Sequence, residues 1–240
     1  MRLRSNEIVL FSGDSITDGN RGRKMDINHI MGHGYQYIVS ANLALESAER
    51  LPKFINKAYS GAMMGELLEK WKTDVLDNRP TVLSILAGVN DGYFGVLNGL
   101  SAQQIADRYR VSLSAALDST FTALGKIPTL ILEPFYFCLD RSDPSYRLTP
   151  HVVCEAPFPR LDDGESALTR EKRLENLPLL QQAARETAAQ FGCAFVQLQD
   201  RFAEAMQSSA PEYLIWDGTH PTIAGHALIA QAWMEAFRMI

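Results

Sequence analysis

The sequence predicts an α/β fold in which a five-stranded parallel sheet is covered by helices on both faces. Apolar runs with little polar alternation, such as Ile8-Val9-Leu10-Phe11, Val82-Leu83-Ser84-Ile85-Leu86 and Thr129-Leu130-Ile131-Leu132, read as strands buried on both sides. Segments with apolar residues at helical spacing alternate with these runs from end to end, as right-handed βαβ crossovers require. Several runs also stop at polar residues beside a glycine, where an open sheet presents its ligand-binding edge.

The elements follow in order. Glu7 to Ser12 is the first strand, ending at Gly13-Asp14-Ser15, and the polar, glycine-rich stretch from Asp18 to Gly34 is a long loop. Tyr35, Ile38, Val39 and Leu43 mark a helix from Tyr35 to Ala44. Phe54 to Ala58 is a second strand, leading to Tyr59-Ser60-Gly61. Met64, Leu67, Leu68, Trp71 and Val75 form one apolar face of a helix running to Asp77. Pro80 closes it, and the strand Thr81 to Ala87 stops at Gly88-Val89-Asn90-Asp91, where Asn90-Asp91-Gly92 also suits a turn. Ser101 and Gln104 form a capping box for a helix to Leu124. After the strand Thr129 to Glu133, the prolines 134, 144, 150, 157 and 159 exclude regular structure across most of 134–163, which reads as an insertion over the sheet edge. A helix from Thr169 is interrupted or kinked at Pro178 and ends at Phe191-Gly192. The strand Ala194 to Gln197, a short helix from Asp200 to Gln207 and a closing helix through Ile223 and Phe237 complete the chain. With no internal repeat or linker, residues 1–240 read as one domain carrying that insertion.

Composition excludes several classes of function. Of the 240 residues 46% are hydrophobic and 21% charged, with a net charge of −5, which is ordinary globular usage. No stretch is basic enough for a nucleic-acid partner, no apolar run is long enough to span a membrane, and Met1 to Glu7 lacks the apolar core of a secretory signal. A cytoplasmic protein is the expectation; self-association into a homo-oligomer is left open. Cys138, Cys154 and Cys193 have neither metal-ligand nor redox spacing, and Cys193 reads as a small core residue. His29, His33 and His151 lie in loops without convergent acidic partners, so neither a metal nor a cofactor is implied.

The polar residues at the strand exits carry the chemistry. Ser15, just past the first strand, is a candidate nucleophile, although Asp14 and Ser15 also suit a helix cap. A serine needs a neighbouring base and a group that fixes the base's tautomer. Asp217 and His220, three residues apart with Pro221 following, fit those roles. The backbone N–H groups of Ser15 and Gly61 and the amide of Asn90 are candidate donors to a developing oxyanion. Asp14, Tyr93, Phe94 and Trp216 are candidates to line a substrate pocket, whereas Trp71 reads as core and His226 as a packing or capping residue.

Gly-Asp-Ser after the first strand, Gly61 after the second, Gly-Val-Asn-Asp after the third and Asp-Gly-Thr-His-Pro near the C-terminus together resemble the SGNH hydrolases, or GDSL esterase/lipase family. The resemblance runs from Glu7 to the closing helix. It implies a flavodoxin-like three-layer α/β/α fold and a serine carboxylic-ester hydrolase, with Ser15 as nucleophile, His220 as base, Asp217 as its carboxylate, and Ser15, Gly61 and Asn90 as the oxyanion hole. Residues 13–18, 71–76, 88–91 and 216–221 are most similar to intracellular acetylxylan esterases, which implies a small-molecule ester substrate, an acetylated saccharide. Asn56-Lys57-Ala58-Tyr59-Ser60-Gly61 departs from the family's Asn-Arg-Gly-x-Ser-Gly, and the backbone there is the point of doubt. A lysophospholipase or short-acyl thioesterase of the same family is the nearest alternative. A non-catalytic binder on a flavodoxin-like sheet is the other, although the first loop lacks a phosphate-cradling Gly-x-x-x-x-Gly-Lys pattern.

Overall fold

A computed structural model describes residues 3–23, 29–139 and 166–240. Five parallel strands form one sheet: β1 (Ile8–Gly13), β2 (Lys53–Asn56), β3 (Val82–Leu86), β4 (Thr129–Leu132) and β5 (Ala194–Val196), in the order β2-β1-β3-β4-β5. This is the flavodoxin-like arrangement, whose strand order reverses between β1 and β3. The crossovers from β1 to β2 and from β2 to β3 lie on opposite faces, which opens a crevice at the carboxyl ends of β1 and β3.

Strands β1, β3 and β4 are mostly apolar because both faces are covered. Val9, Phe11, Val82, Leu86, Leu130 and Leu132 point to one side, against α2 (Tyr35–Glu46), α8 (Gln199–Ala205) and α9 (Ile223–Met239), and pack on Tyr35, Val39, Phe202, Trp233 and Phe237. Leu10, Leu83, Ile85 and Ile131 point to the other side, against α3 (Met64–Glu69), α4 (Trp71–Asp74), α6 (Ala102–Leu124) and α7 (Ala167–Gln190), where Leu67, Trp71, Tyr109, Leu113, Leu117 and Leu180 fill the layer. The alternation follows the two-residue period of a strand. Trp71 is core, as its spacing predicts, and its indole N–H donates to Thr120 Oγ1 at 2.8 Å.

Several elements differ from the sequence expectation. Gly88-Val89-Asn90-Asp91 opens a helix, α5 (Val89–Leu97), and is not a bare turn. Gly92 and Gly95 are packing positions in it: a Cβ would stand 3.2 Å from Leu180 Cδ1 and 2.5 Å from Ile105 Cγ1 respectively. The helix expected from Met64 to Asp77 divides at Lys70 into α3 and α4, followed by a 3₁₀ turn at Leu76–Asn78. Helix α7 continues through Pro178. Ser101 and Gln104 form the expected capping box of α6. Residues 134–139 carry no regular structure, and the rest of the expected insertion, 140–163, lies outside the described residues, as do Cys154 and His151. Cys193 is half-buried, with its thiol pushed up to about 11 by burial. No helix among the described residues is long and apolar enough to cross a membrane.

Candidate active site

The site begins where β1 ends. Gly13 is required by close approach: a Cβ there would lie 2.3 Å from Leu86 O and 2.6 Å from Thr17 Oγ1. The strand therefore passes directly into α1 (Ser15–Asp18), with Asp14 as N-cap accepting the Ile16 N–H at 3.0 Å. The capping reading of Asp14 thus holds, and it leaves Ser15 at the first helical position. Asp14 is fully buried, its Oδ2 has no hydrogen-bond partner among the described residues, and burial pushes its carboxyl up to about 7.

Opposite Ser15 stands the loop between α8 and α9, built so that one carboxylate organises it. Asp217 Oδ1 accepts the backbone N–H groups of Thr219 (2.9 Å) and His220 (2.6 Å), and Oδ2 lies 2.6 Å from His220 Nδ1. The loop closes on itself through the Ile215–Pro221 bridge and the Thr222 N–H to Leu214 O bond, and Thr222 then caps α9. His220 Nε2 is 2.8 Å from Ser15 Oγ. Burial disfavours a charged imidazole here, but the Asp217 hydrogen bond and charge outweigh it and raise the pKa of His220; the same pairing lowers that of Asp217. The Trp216 indole stacks on the imidazole, 5.4 Å between ring centres and 19° between planes, shielding one face of the ring.

The two further oxyanion candidates share a turn. Gly61, at φ +81° with open space where a Cβ would stand, follows Ser60, whose N–H donates to Asp18 Oδ2 at 3.0 Å. Asn90, in the first turn of α5, donates from Nδ2 to Ala62 O at 3.2 Å, so the amide is braced against the Gly61 turn and keeps its second N–H. The neighbouring Asp91 accepts the Met64 N–H at the start of α3 and is pushed up to about 6 by burial. Asn56 holds the turn from beneath: its Nδ2 donates to Thr17 O at 2.8 Å and its Oδ1 accepts the Ala58 N–H at 3.0 Å. Ala58, where the family pattern has glycine, is fully buried, and its φ is not positive, so the departure costs the backbone nothing.

Of the pocket candidates, Trp216 is in contact with His220. Tyr93 and Phe94, both half-buried, meet edge to face at 5.1 Å, and Arg173 lies over the Tyr93 ring. His226 is buried, accepts the Tyr35 N–H on Nδ1 at 3.1 Å and is pushed down to about 3, as a packing residue. Sequence reasoning passed over Asp18, Asn56, Thr219 and Arg173. The first three stand in stretches it had singled out, but the ties from Asn56 to Thr17, from Ser60 to Asp18 and from Arg173 to Thr219 span 39, 42 and 46 positions. Among the described residues no group of three His, Cys, Asp or Glu side chains is placed to hold a metal ion.

The arrangement can pass a proton from a serine hydroxyl to an imidazole oriented by a carboxylate, beside N–H groups able to receive a developing negative charge. Comparison with known proteins gives the family. Residues 11–228 match the model of the GDSL-like lipase/acylhydrolase family. An acetylxylan esterase from Geobacillus stearothermophilus is 27% identical over 98% of this chain and 95% of its own. A solved structure assigned as a GDSL-like lipase, from Parabacteroides merdae, superposes with a TM-score of 0.75 at 27% identity, covering 100% of this chain and 99% of the other. A crystal structure of the Geobacillus stearothermophilus acetylxylan esterase gives 0.73 at 24% identity, covering 98% and 96%, and supports the fold.

Proposed function

This chain belongs to the GDSL-like lipase/acylhydrolase family and is a carboxylic-ester hydrolase, and from that premise we propose that it works through an acyl-enzyme on Ser15 and removes acetyl groups from saccharides. The observation that carries the mechanism is the continuous chain Ser15 Oγ, His220 Nε2, His220 Nδ1, Asp217 Oδ2, with steps of 2.8 and 2.6 Å. In the proposed reaction Ser15 Oγ attacks the ester carbonyl carbon while its proton passes to His220 Nε2. The oxyanion is received by the N–H groups of Ser15 and Gly61 and the amide of Asn90. Collapse breaks the bond to the sugar oxygen, which takes the proton from His220 and departs as a hydroxyl, leaving an acyl ester on Ser15. Water then attacks that ester, giving one proton to His220; collapse returns that proton to Ser15 Oγ and releases the carboxylic acid, which ionises in solvent.

Substrate class rests on the acetylxylan esterase relative and on the aromatic wall at the base. Trp216 flat against His220 leaves less room for a long acyl chain and offers a ring face on which a sugar can stack. Values of kcat/KM across C2 to C12 p-nitrophenyl esters, with acetate release from acetylated xylo-oligosaccharides, test the reading. Acetate should be the favoured acyl group. A preference for octanoate or longer, with no acetate released from the sugars, would replace it with the lysophospholipase or thioesterase alternative.

A further inference from the structure

Arg173 has no part in the reaction drawn above, yet it is 8% exposed, and a buried guanidinium has to be compensated. Its Nη2 donates to Thr219 Oγ1 at 3.0 Å. Its guanidinium carbon stands 3.7 Å from the centre of the Tyr136 ring and 5.2 Å from that of Tyr93. Thr219 is the residue before His220, and its own N–H goes to Asp217 Oδ1. Gly218 O accepts the N–H of Phe137, next to Tyr136, at 2.9 Å. Tyr93 lies one helical turn beyond Asn90 on α5, where Gly92 packs on Leu180 of α7.

We propose that Arg173 is a positioning residue of the reaction: its guanidinium holds Thr219, and with it the Asp217–His220 loop, in register with the helix that carries Asn90. The assignment rests on the triad reading above. An arginine suits the position because one planar group stacks on aromatic rings and donates at its edge, whereas a lysine ammonium brings the charge without the plane. The charge has its own effect. Around His220, Asp217 from the same loop and Asp14 from the end of β1 favour the imidazolium, Arg173 from α7 opposes it, and His226 from α9 also faces the ring. A neutral replacement would therefore free the loop and favour the protonated base, whereas a lysine would only free the loop.

The test is the pH dependence of kcat and kcat/KM for Arg173→Lys, Arg173→Met and Thr219→Val, with phosphonate labelling of the wild type alongside. Arg173→Lys and Thr219→Val should each lower kcat by about 10-fold to 100-fold, the cost of a misplaced group of about an ångström, with KM within about threefold and the acid limb of kcat/KM in place. Arg173→Met should lose at least as much and carry its acid limb to higher pH. Wild-type kcat in both Arg173→Lys and Thr219→Val, or acid limbs that coincide for the methionine and lysine variants, would overturn the assignment. Should the methionine variant fail to fold, the other two decide it on kcat. A wild type that neither hydrolyses esters nor takes the phosphonate on Ser15 would overturn the triad reading itself, a different result from unchanged variants of a working enzyme.

Discussion

The loop that carries His220 and the turn that carries Gly61 are held by different means. Three N–H groups within four residues converge on Asp217, further closures join 214 to 222, 215 to 221 and 216 to 220, and two ties reach the loop from further along the chain, from Phe137 to Gly218 and from Arg173 to Thr219. The Gly61 turn is tied from far along the chain: Ser60 to Asp18 across 42 positions, Asn56 to Thr17 across 39, Asn90 to Ala62 across 28. The base side is thus organised chiefly by its own sequence neighbours, with Arg173 and Phe137 as its distant ties, and the oxyanion side depends on the β1 exit and α5 being in place. A local arrangement fails completely when its central group is changed. A distributed one should lose function in steps.

The largest effects are expected on the base side. Ser15→Ala and His220→Ala should each lower kcat by about 10⁴-fold to 10⁶-fold and Asp217→Asn by about 10⁴-fold, with the double variants hardly worse than the singles because the three groups act as a unit. Single and double variants in one kcat assay check this; multiplicative losses would mean that they do not share a step. On the oxyanion side Asn90→Ala should cost about 10²-fold to 10³-fold. Asp18→Asn, which loosens the Ser60 N–H and the Arg23 ion pair without touching a reacting atom, should cost up to about 10²-fold in kcat. If Asp18→Asn is as damaging as Asp217→Asn, the distinction between local and distributed support is wrong.

A third measurement sharpens the contrast through protonation. In the proposed mechanism only neutral His220 accepts the serine proton, and Asp217 favours the charged form, so kcat/KM should rise with pH through a limb displaced above the ordinary histidine value, and Asp217→Asn should bring that limb down. A limb that Asp217→Asn leaves in place would show that the carboxylate does not set the base's charge.

The smallest effect concerns a tie beside the site, His226 on α9 accepting the N–H of Tyr35 at the start of α2. Burial holds this imidazole neutral down to about 3, whereas the unfolded chain takes the proton near 6.5. Its contribution to stability is therefore complete above pH 6.5 and lost as the pH falls toward 3, by about 1.4 kcal/mol per unit. Asp14, raised to about 7, acts in the opposite direction between 7 and 3.8, so the wild-type curve alone hides the effect. His226→Gln, which keeps an acceptor, should lose less Tm than wild type between pH 7 and 5; equal slopes by calorimetry would remove His226 from the acid response.

The same contrast explains what was legible in the sequence. Strands β1, β3 and β4 were clear because burial on both faces leaves uninterrupted apolar runs, and the capping box of α6 is a four-residue signal. Asp217 and His220 were readable because their geometry is written in four consecutive positions. Helix α5 was missed because Gly92 and Gly95 look like breakers, whereas Leu180 and Ile105 need them small, a fact fixed by helices elsewhere in the chain. Asp18, Asn56 and Arg173 were missed for the same reason: nothing adjacent to Arg173 announces that Thr219, 46 positions away, will meet it.

The hydrogen bond between Ser15 and His220 joins residues 205 positions apart, and β1, which delivers the serine, sits between β2 and β3 near the middle of the sheet. A contact of that span carries a large loop-closure entropy until the intervening strands and helices have docked. During refolding, then, the chain regains helix and collapses before it owns an activated nucleophile, and recovered esterase activity should lag the far-ultraviolet dichroism signal. On the proposed mechanism, recovery of activity would thus time the completion of the topology.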